Sequence, residues 1–277
     1  MEQTLSAETE LNIIAVKLSE GLNFSATFRS EAEEKFKVVG TYKTFIKVQD
    51  LSFKMVKTVS IKDAYKHWAS RYEEDLPYLF ESESEKIIPL LGNVKGKTVL
   101  DLGCGTGRYS IALAKKGAIV TAVDFSKEML AVAKKNAKKA NVKINFKQFD
   151  LKKGFPKGDF DVILSMLVFG HFKNIEPILK KIAKALKVKG ICIISTFHPQ
   201  KQGGKFALVQ SLRLDARKYT QTKKQYLDAI KKAGLLLEKT LEIKFSKKVV
   251  LKAKKDGVNL EPYSHKPFLM AFKIRKK

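Results

Sequence analysis

Apolar residues recur along this chain in two rhythms. Near the start they alternate with polar ones: Ile14, Val16 and Leu18, then Ser19, Glu20 and Gly21, then Leu22, Phe24, Ala26 and Phe28. A period of two broken by a turn predicts a β-hairpin, because successive strand side chains point to opposite faces. Residues 36–48 and 51–59, rich in Phe, Val, Ile and Thr, read as further strands. From residue 98 the pattern changes to short apolar runs separated by stretches with helical spacing. The runs at 98–102, 119–124, 144–149, 160–166 and 190–197 predict buried strands, and 109–116, 127–140 and 175–186 predict amphipathic helices between them. A long polar segment follows, then a helix at 223–233 and strands at 236–250 and 267–273. Strands alternating with helices imply βαβ units around a parallel sheet.

Composition supports a division into two pieces. Residues 1–56 hold seven Lys or Arg against eight Asp or Glu, a net charge of −1, so the remainder carries +27 and the whole chain +26. The expected organisation is a β-rich accessory region at 1–58 and a larger α/β domain at 59–277. About 55 residues of short strands bury little apolar surface, so the first piece is expected to pack on the larger domain, on a second copy in a homodimer, or on another partner. The strong basic charge raises an RNA or other polyanion as partner. Against that, only 6 of the basic residues are Arg, and the lysines fall as dispersed pairs such as Lys134-Lys135 and Lys231-Lys232 on helix faces. No apolar run approaches the roughly 18 residues of a membrane span, and the acidic first ten residues do not resemble a signal peptide, so a cytoplasmic protein is expected. The two cysteines, Cys104 and Cys192, form no C-x-x-C pair. They are expected to be reduced and unreactive, and no metal-ligand spacing occurs.

The most informative stretch is VLDLGCGTGRYSIALAKKGAIVTAVDFS, residues 99–126. It reads as strand, glycine turn, helix, strand and acid, which is the order of a nucleoside-cofactor cradle. Gly103, Gly105 and Gly107 stand where backbone must approach a ligand closely. Asp124 lies 17 residues beyond Gly107, near the offset at which a carboxylate accepts hydrogen bonds from both ribose hydroxyls. Asp101, ahead of the turn, would repel a pyrophosphate but suits a ligand with a positive amino group.

At these residues the chain resembles the class I S-adenosylmethionine-dependent methyltransferases, whose first motif, (V/L)LDxGxGxG, is matched in full. The resemblance covers about residues 63–277 and implies a Rossmann-like, seven-stranded, mostly parallel sheet with helices on both faces, its last two strands antiparallel. It implies S-adenosylmethionine as cofactor, held by Asp101, Gly103, Cys104, Gly105, Gly107, Asp124, Phe125 and Met166, with Asp150 at the adenine amine and Leu151 beside the ring. The segment AYKHWASRYEEDLPYL is similar to the helix that caps the cofactor in many small-molecule methyltransferases. That likeness marks Tyr65, Arg71 and Tyr72 as lid contacts, with Arg71 facing the methionine carboxylate.

The residues that bear on the acceptor are fewer. The fourth strand lacks an Asn-Pro-Pro-Tyr-like sequence, which disfavours methylation of base or glutamine amino groups, and no Pro-Cys nucleophile occurs. His171 and His198 fall at carboxyl ends of core strands and are the candidate catalytic bases. In the resembling family the acceptor pocket is built from the regions matched here by residues 200–210 and 219–226. The expected function is methyl transfer to a small molecule by in-line displacement. The alternatives are methylation of RNA or protein through the basic surface, and a non-catalytic cofactor-binding partner subunit.

Overall fold

The computed structural model describes residues 11–19, 23–30, 35–41, 57–58, 60–199, 207–209, 214–215 and 219–277. Its backbone separates into two compact units, residues 1–56 and 57–277. In the first, β1 (Leu11–Ser19) pairs antiparallel with β2 (Asn23–Ser30), and β2 with β3 (Lys35–Thr41). The hairpin foreseen from the alternation is present, with Leu18 opposite Phe24. Residues 42–48 and 51–56 of the other expected strands lie outside the described residues. Two residues of the expected first piece, β4 (Lys57–Thr58), pair instead with the larger unit, which moves the boundary back to residue 56.

The second unit opens with three helices, α1 (Ile61–Trp68), α2 (Tyr72–Asp75) and α3 (Pro77–Ile87). The βα alternation follows: β5 (Thr98–Leu102), α4 (Arg108–Lys115), β6 (Ile119–Asp124), α5 (Lys127–Lys139), β7 (Asn145–Gln148), β8 (Phe160–Met166), α6 (Glu176–Ala185) and β9 (Leu186–Phe197). Short strands β10 (Ala207–Val209) and β11 (Leu214–Asp215) form a small sheet with β4. The chain closes with α7 (Lys223–Lys232), β12 (Leu235–Ile243), α8 (Lys247–Lys255), α9 (Glu261–Ser264) and β13 (Leu269–Lys276).

The main sheet has the order β12-β13-β9-β8-β5-β6-β7, and β13 runs antiparallel to both of its neighbours. Period-two burial splits its side chains between two cores. Val99, Val162 and Ile193 meet α3 and α4 on one face, while Leu100, Ile163 and Cys192 meet α6 and α7 on the other. Buried on both faces over most of their length, β5 and β8 carry the apolar runs Val99-Leu100 and Val162-Ile163-Leu164, which is why they were legible as strands. The sheet order reverses between β5 and β8, and ligands of open α/β sheets bind in the crevice at the carboxyl ends beside such a point.

One expected element is wrong. The strand foreseen at 236–250 stops at Ile243, and its second half is α8. Ser246 accepts the Val249 N–H as an N-cap, and Val249 and Ala253, one turn apart, bury the same helix face. The apolar run Val249 to Leu251 has no strand neighbour to pair with, so capping decides its conformation.

Candidate functional site

The carboxyl ends of β5, β6, β7 and β8 surround a cavity of about 370 Å³, roofed by α1 and α2. That size lies in the small-molecule range. The glycine turn forms its floor. Gly103 has φ of +71°, and a Cβ there would stand 2.4 Å from Val168 Cγ2, so only glycine fits. Gly105, at φ of +55°, meets nothing nearer than Tyr72 at 3.9 Å and leaves its backbone open to the cavity. Gly107 lies behind the turn, packed against Ala133, where it brings α4 and α5 together.

Asp124 ends β6 and faces the cavity, with Oδ2 accepting the Gly105 N–H at 2.9 Å and Oδ1 the Ser126 N–H at 2.9 Å. Those two bonds fix the carboxylate and leave lone pairs on both oxygens. Burial raises its pKa, only partly opposed by the backbone donors. Asp150 lies two residues beyond the neighbouring strand β7, its Oδ1 fixed by the Lys152 N–H at 2.9 Å. Phe125, Met129 and Leu151 line the wall between these two acids. On the β8 side the lining is Met166, Leu167 and Val168, and Leu167 holds a left-handed φ of 61°, its N–H bonded to Ser195 Oγ at 3.1 Å. A β-region residue forced into that conformation stores strain that the surrounding bonds must offset.

The roof is tied down by side chains. Trp68 is buried and donates Nε1–H to Asp75 at 2.8 Å, and its ring packs 4.7 Å from that of Tyr72. Thr106, inside the glycine turn, donates its hydroxyl to Glu73 on α2 at 2.5 Å. Tyr65 Oη lies 3.0 Å from His171 Nε2 across the cavity. Burial, with Tyr72 and then Asp124 adding to it, pushes the Tyr65 phenol well above its ordinary pKa.

Of the sequence-selected residues, the structure brings Tyr65, Gly103, Gly105, Asp124, Phe125, Asp150, Leu151, Met166 and His171 to the cavity wall. It does not bring Arg71, Asp101, Cys104, Gly107 or His198 there. Arg71 is half exposed and pairs with Asp75 at 3.4 Å, one helical turn away, instead of reaching inward. Asp101 is buried beneath the turn, where Ser110 Oγ donates to it at 2.6 Å and burial raises its pKa to about 6. Cys104 is buried, and its thiol pKa is raised by burial and by Asp101 and Asp124, the opposite of a reactive thiolate. His198 is buried at the end of β9, with its N–H on Phe268 O and its Nε2 3.9 Å from Glu242. Residues 200–206 and 210 of the expected acceptor loop lie outside the described residues. The 219–226 segment does reach the site: Tyr219 N–H and Gln221 Nε2–H donate at 2.7 Å to the carbonyls of Gly170 and Phe172, on either side of His171. Among the described residues no group of three or more metal-ligating side chains occurs, and no helix is long and apolar enough to cross a membrane.

Sequence reasoning missed Met129, Phe149, Phe172 and the lysines Lys62 and Lys152, which line the same cavity. It also missed a buried cluster behind it. Glu83, fully buried on α3, takes Arg108 Nη2 at 2.5 Å and Ser195 Oγ at 2.5 Å, and Ser195 in turn holds Leu167. Its context, Glu-Ser-Glu-Ser-Glu, reads as solvated helix, so nothing in the pattern marks Glu83 as the inward-facing acid.

A Rossmann-like sheet with a glycine turn and paired acids at its switch point defines a nucleoside-cofactor enzyme fold. The chain belongs to the methyltransferase domain family, whose pattern matches residues 93–245, more than half of its length. It is similar to the ubiquinone biosynthesis O-methyltransferase of Pelagibacter ubique, 38% identical over 119 residues that cover 43% of this chain and 48% of that protein. The protein of the same name from Coxiella burnetii is 39% identical over 106 residues, 38% of this chain and 45% of that one. The chain thus aligns with about half the length of these curated relatives. In fold it resembles an S-adenosylmethionine-dependent methyltransferase from Mesorhizobium loti, with TM-score 0.61, 21% identity and coverage of 70% and 98% of the two chains. Magnesium protoporphyrin IX methyltransferase from Synechocystis, solved with bound SAM, gives TM-score 0.57 at 17% identity, covering 79% and 98%.

Proposed function

We propose that this chain is an S-adenosylmethionine-dependent methyltransferase that acts on the hydroxyl of a small molecule. The observation that carries the reading is the pair of carboxylates, Asp124 and Asp150, fixed by backbone N–H groups at or just past adjacent strand ends beside the open Gly105 backbone. Their acceptor atoms suit ribose hydroxyls and an adenine amine, and the apolar Phe125, Met129 and Leu151 suit the purine faces between them. S-adenosylmethionine supplies a methyl group on a sulfonium, a leaving group good enough that the protein's contribution is mainly alignment. Tyr65, Met166 and His171 line the same cavity and are the side chains nearest the acceptor in this reading. A roofed, partly open cavity of about 370 Å³ favours a small acceptor over RNA or protein. Oxygen as acceptor atom is supported by the O-methyltransferases to which the chain is similar.

Calorimetric titration of S-adenosylmethionine into the whole chain, with NAD as control, tests the cofactor. Micromolar binding, weakened at least a hundredfold in Asp124→Ala, is expected. Wild-type protein that takes up no S-adenosylmethionine overturns the reading.

A further inference from the structure

Positive charge gathers without compensation at one edge of the main sheet. Residues 129–149, which hold most of α5 and all of β7, contain six lysines and no acid. Lys134, Lys135, Lys138, Lys139, Lys143 and Lys147 are all exposed, and among the described residues none of them forms an ion pair. Lysines elsewhere do find acids: Lys180 meets Glu176 at 2.7 Å, Lys187 meets Asp161 at 2.9 Å and Lys252 meets Glu81 at 2.7 Å. The lysine pairs that look dispersed in the sequence are here brought onto one face.

That face has a backbone edge and a groove. β7 is the last strand of the sheet on this side. Strand backbone groups point by turns to one neighbour and the other, and Phe149 N–H returns to Asp124 O, so Phe146 and Gln148 turn theirs outward. Among the described residues no strand lies beyond them. Beside the edge, between α5 and β7, runs an open groove of about 500 Å³. Asn141 makes the turn into it at φ of 52°, with Val142 N–H closing the helix on Ala137 O at 3.1 Å. Ala137, Val142, Ile144 and Phe146 give the groove an apolar lining, and Lys134, Lys138 and Lys143 make the rest of it basic.

An open strand edge is commonly blunted by charge, and Lys143 and Lys147 are placed to do so. The lysines on α5 lie off the strand, and edge protection does not ask for them. Their charge repels a basic strand and draws in one that carries carboxylates. We propose that the β7 edge docks an extended acidic segment of a partner protein, added to the sheet as an eighth strand. Its main chain pairs with Phe146 and Gln148, its carboxylates reach Lys134, Lys138 and Lys143, and its apolar side chains cover Ile144 and Phe146. RNA or a lipid headgroup layer would answer the lysines but would leave the strand edge without a backbone partner. β7 leads directly into Phe149, Asp150 and Leu151, so the docked segment adjoins the wall of the cofactor cavity. The docking site stands whether or not the chain transfers methyl groups.

The test is fluorescence anisotropy of a labelled peptide, Glu-Val-Glu-Val-Glu-Val-Glu, titrated with the whole chain at low salt. Micromolar binding is expected, at least tenfold weaker in the triple variant Lys134→Glu, Lys138→Glu, Lys143→Glu. The triple variant Lys224→Glu, Lys244→Glu, Lys247→Glu has the same net charge with the groove intact, and it is expected to bind as the wild type does. All six lysines are exposed, so both variants should keep the wild-type urea midpoint. A peptide N-methylated along its whole backbone keeps its carboxylates but donates no hydrogen bond to the edge, and it is expected to bind at least tenfold more weakly. Equal binding of the two peptides would reduce the contact to charge and overturn strand addition. No binding of the parent peptide, or equal losses in the two triple variants, overturns the docking site. A decauridylate or phosphatidylglycerol vesicles that bind more tightly than the peptide, and lose that binding in the groove variant, would assign the face to RNA or to a membrane and overturn the proposal too.

Discussion

The two edges of the main sheet hold carboxylates in opposite circumstances. At the amino edge Asp161, second residue of β8, is partly exposed, and it accepts the Thr98 N–H and hydroxyl at 2.8 and 2.7 Å and Lys187 Nζ at 2.9 Å. Desolvation is the largest single influence on it and works against its charge, but the Lys187 and Thr98 donors together outweigh it and pull the pKa down to about 2. At the carboxyl edge Asp101 and Asp124 are buried, and desolvation outweighs their donors, so both pKa values rise. The same side chain is thus a clasp at one edge and a costly, poised group at the other. A fold tolerates the second arrangement where a ligand can repay it, and the cavity lies at that edge.

The largest way to break the contrast is through the ion pair that supports the carboxyl edge. Glu83 is fully buried and Arg108 three-quarters so, and Arg108 also stacks on the rings of Phe80 and Tyr109 at 4.5 and 4.2 Å. Removing one partner leaves an uncompensated charge. Glu83→Ala is expected to lower the unfolding free energy by about 3–5 kcal/mol. It also releases Ser195 and with it the strained Leu167. Urea denaturation measures the first effect, and a near-normal midpoint would show that Arg108 finds solvent.

Next in size is the difference between the two edges in binding. In the proposed cofactor site Asp124→Ala removes two charge-assisted bonds to a ribose, and the expected loss is about 3 kcal/mol, or roughly a hundredfold in affinity for S-adenosylmethionine. Asp161→Ala, at the far edge, is expected to leave that affinity unchanged. Equal losses in the two variants, read by calorimetry, would erase the distinction between clasp and ligand-facing acid.

How legible each part was follows from where its determinants lie. The strands β5, β6 and β8 were readable because segments buried on both faces are rich in apolar residues, and Gly103 was readable because its turn admits no Cβ. Asp124 and Asp150 could be placed at the cavity wall because each stands at or just past the carboxyl end of a core strand. Arg71 and His198 were misplaced because a helix register or the end of a strand does not tell which way a side chain leaves: Arg71 turned to Asp75, and His198 is buried with its Nε2 towards Glu242. The Tyr65–His171 contact spans 106 residues, and no local pattern joins its ends. Glu83 was hidden for the same reason, since its burial depends on Arg108 and Ser195 arriving from other elements. The end of β12 was misjudged because a single N-cap at Ser246 outweighed an apolar run.

Proton linkage sharpens the comparison further. With the Asp101 pKa raised to about 6 in the fold and near 4 when unfolded, the native state keeps a proton that the unfolded chain releases between those values. Stability from this group is fully present below pH 4, falls as pH rises to about 6, and is flat above. Asp101→Asn removes that slope. Relative to the variant, the wild type is expected to lose on the order of 2–3 kcal/mol across the window, measured as the pH dependence of the urea midpoint. Parallel curves for the two proteins would show that Ser110 already holds Asp101 ionised.

The smallest effect belongs to the clasp, and its sign is reversed. Asp161, lowered to about 2, contributes stability that is complete above pH 4 and is lost as pH falls towards 2. Partial exposure and the half-exposed Lys187 screen the pair, so Asp161→Asn is expected to cost only about 1 kcal/mol at pH 7. That cost should shrink as pH falls from about 4 towards 2, below the range in which the carboxyl-edge acid gains. Adding 0.5 M salt should reduce the Lys187 share while leaving the Thr98 bonds in place, because the ion pair is open to counterions and the backbone donor is not. A cost at pH 7 that rivals the loss in Glu83→Ala would mean that the amino edge is as dependent on its acid as the carboxyl edge, and the contrast would then lie in exposure and no longer in electrostatics.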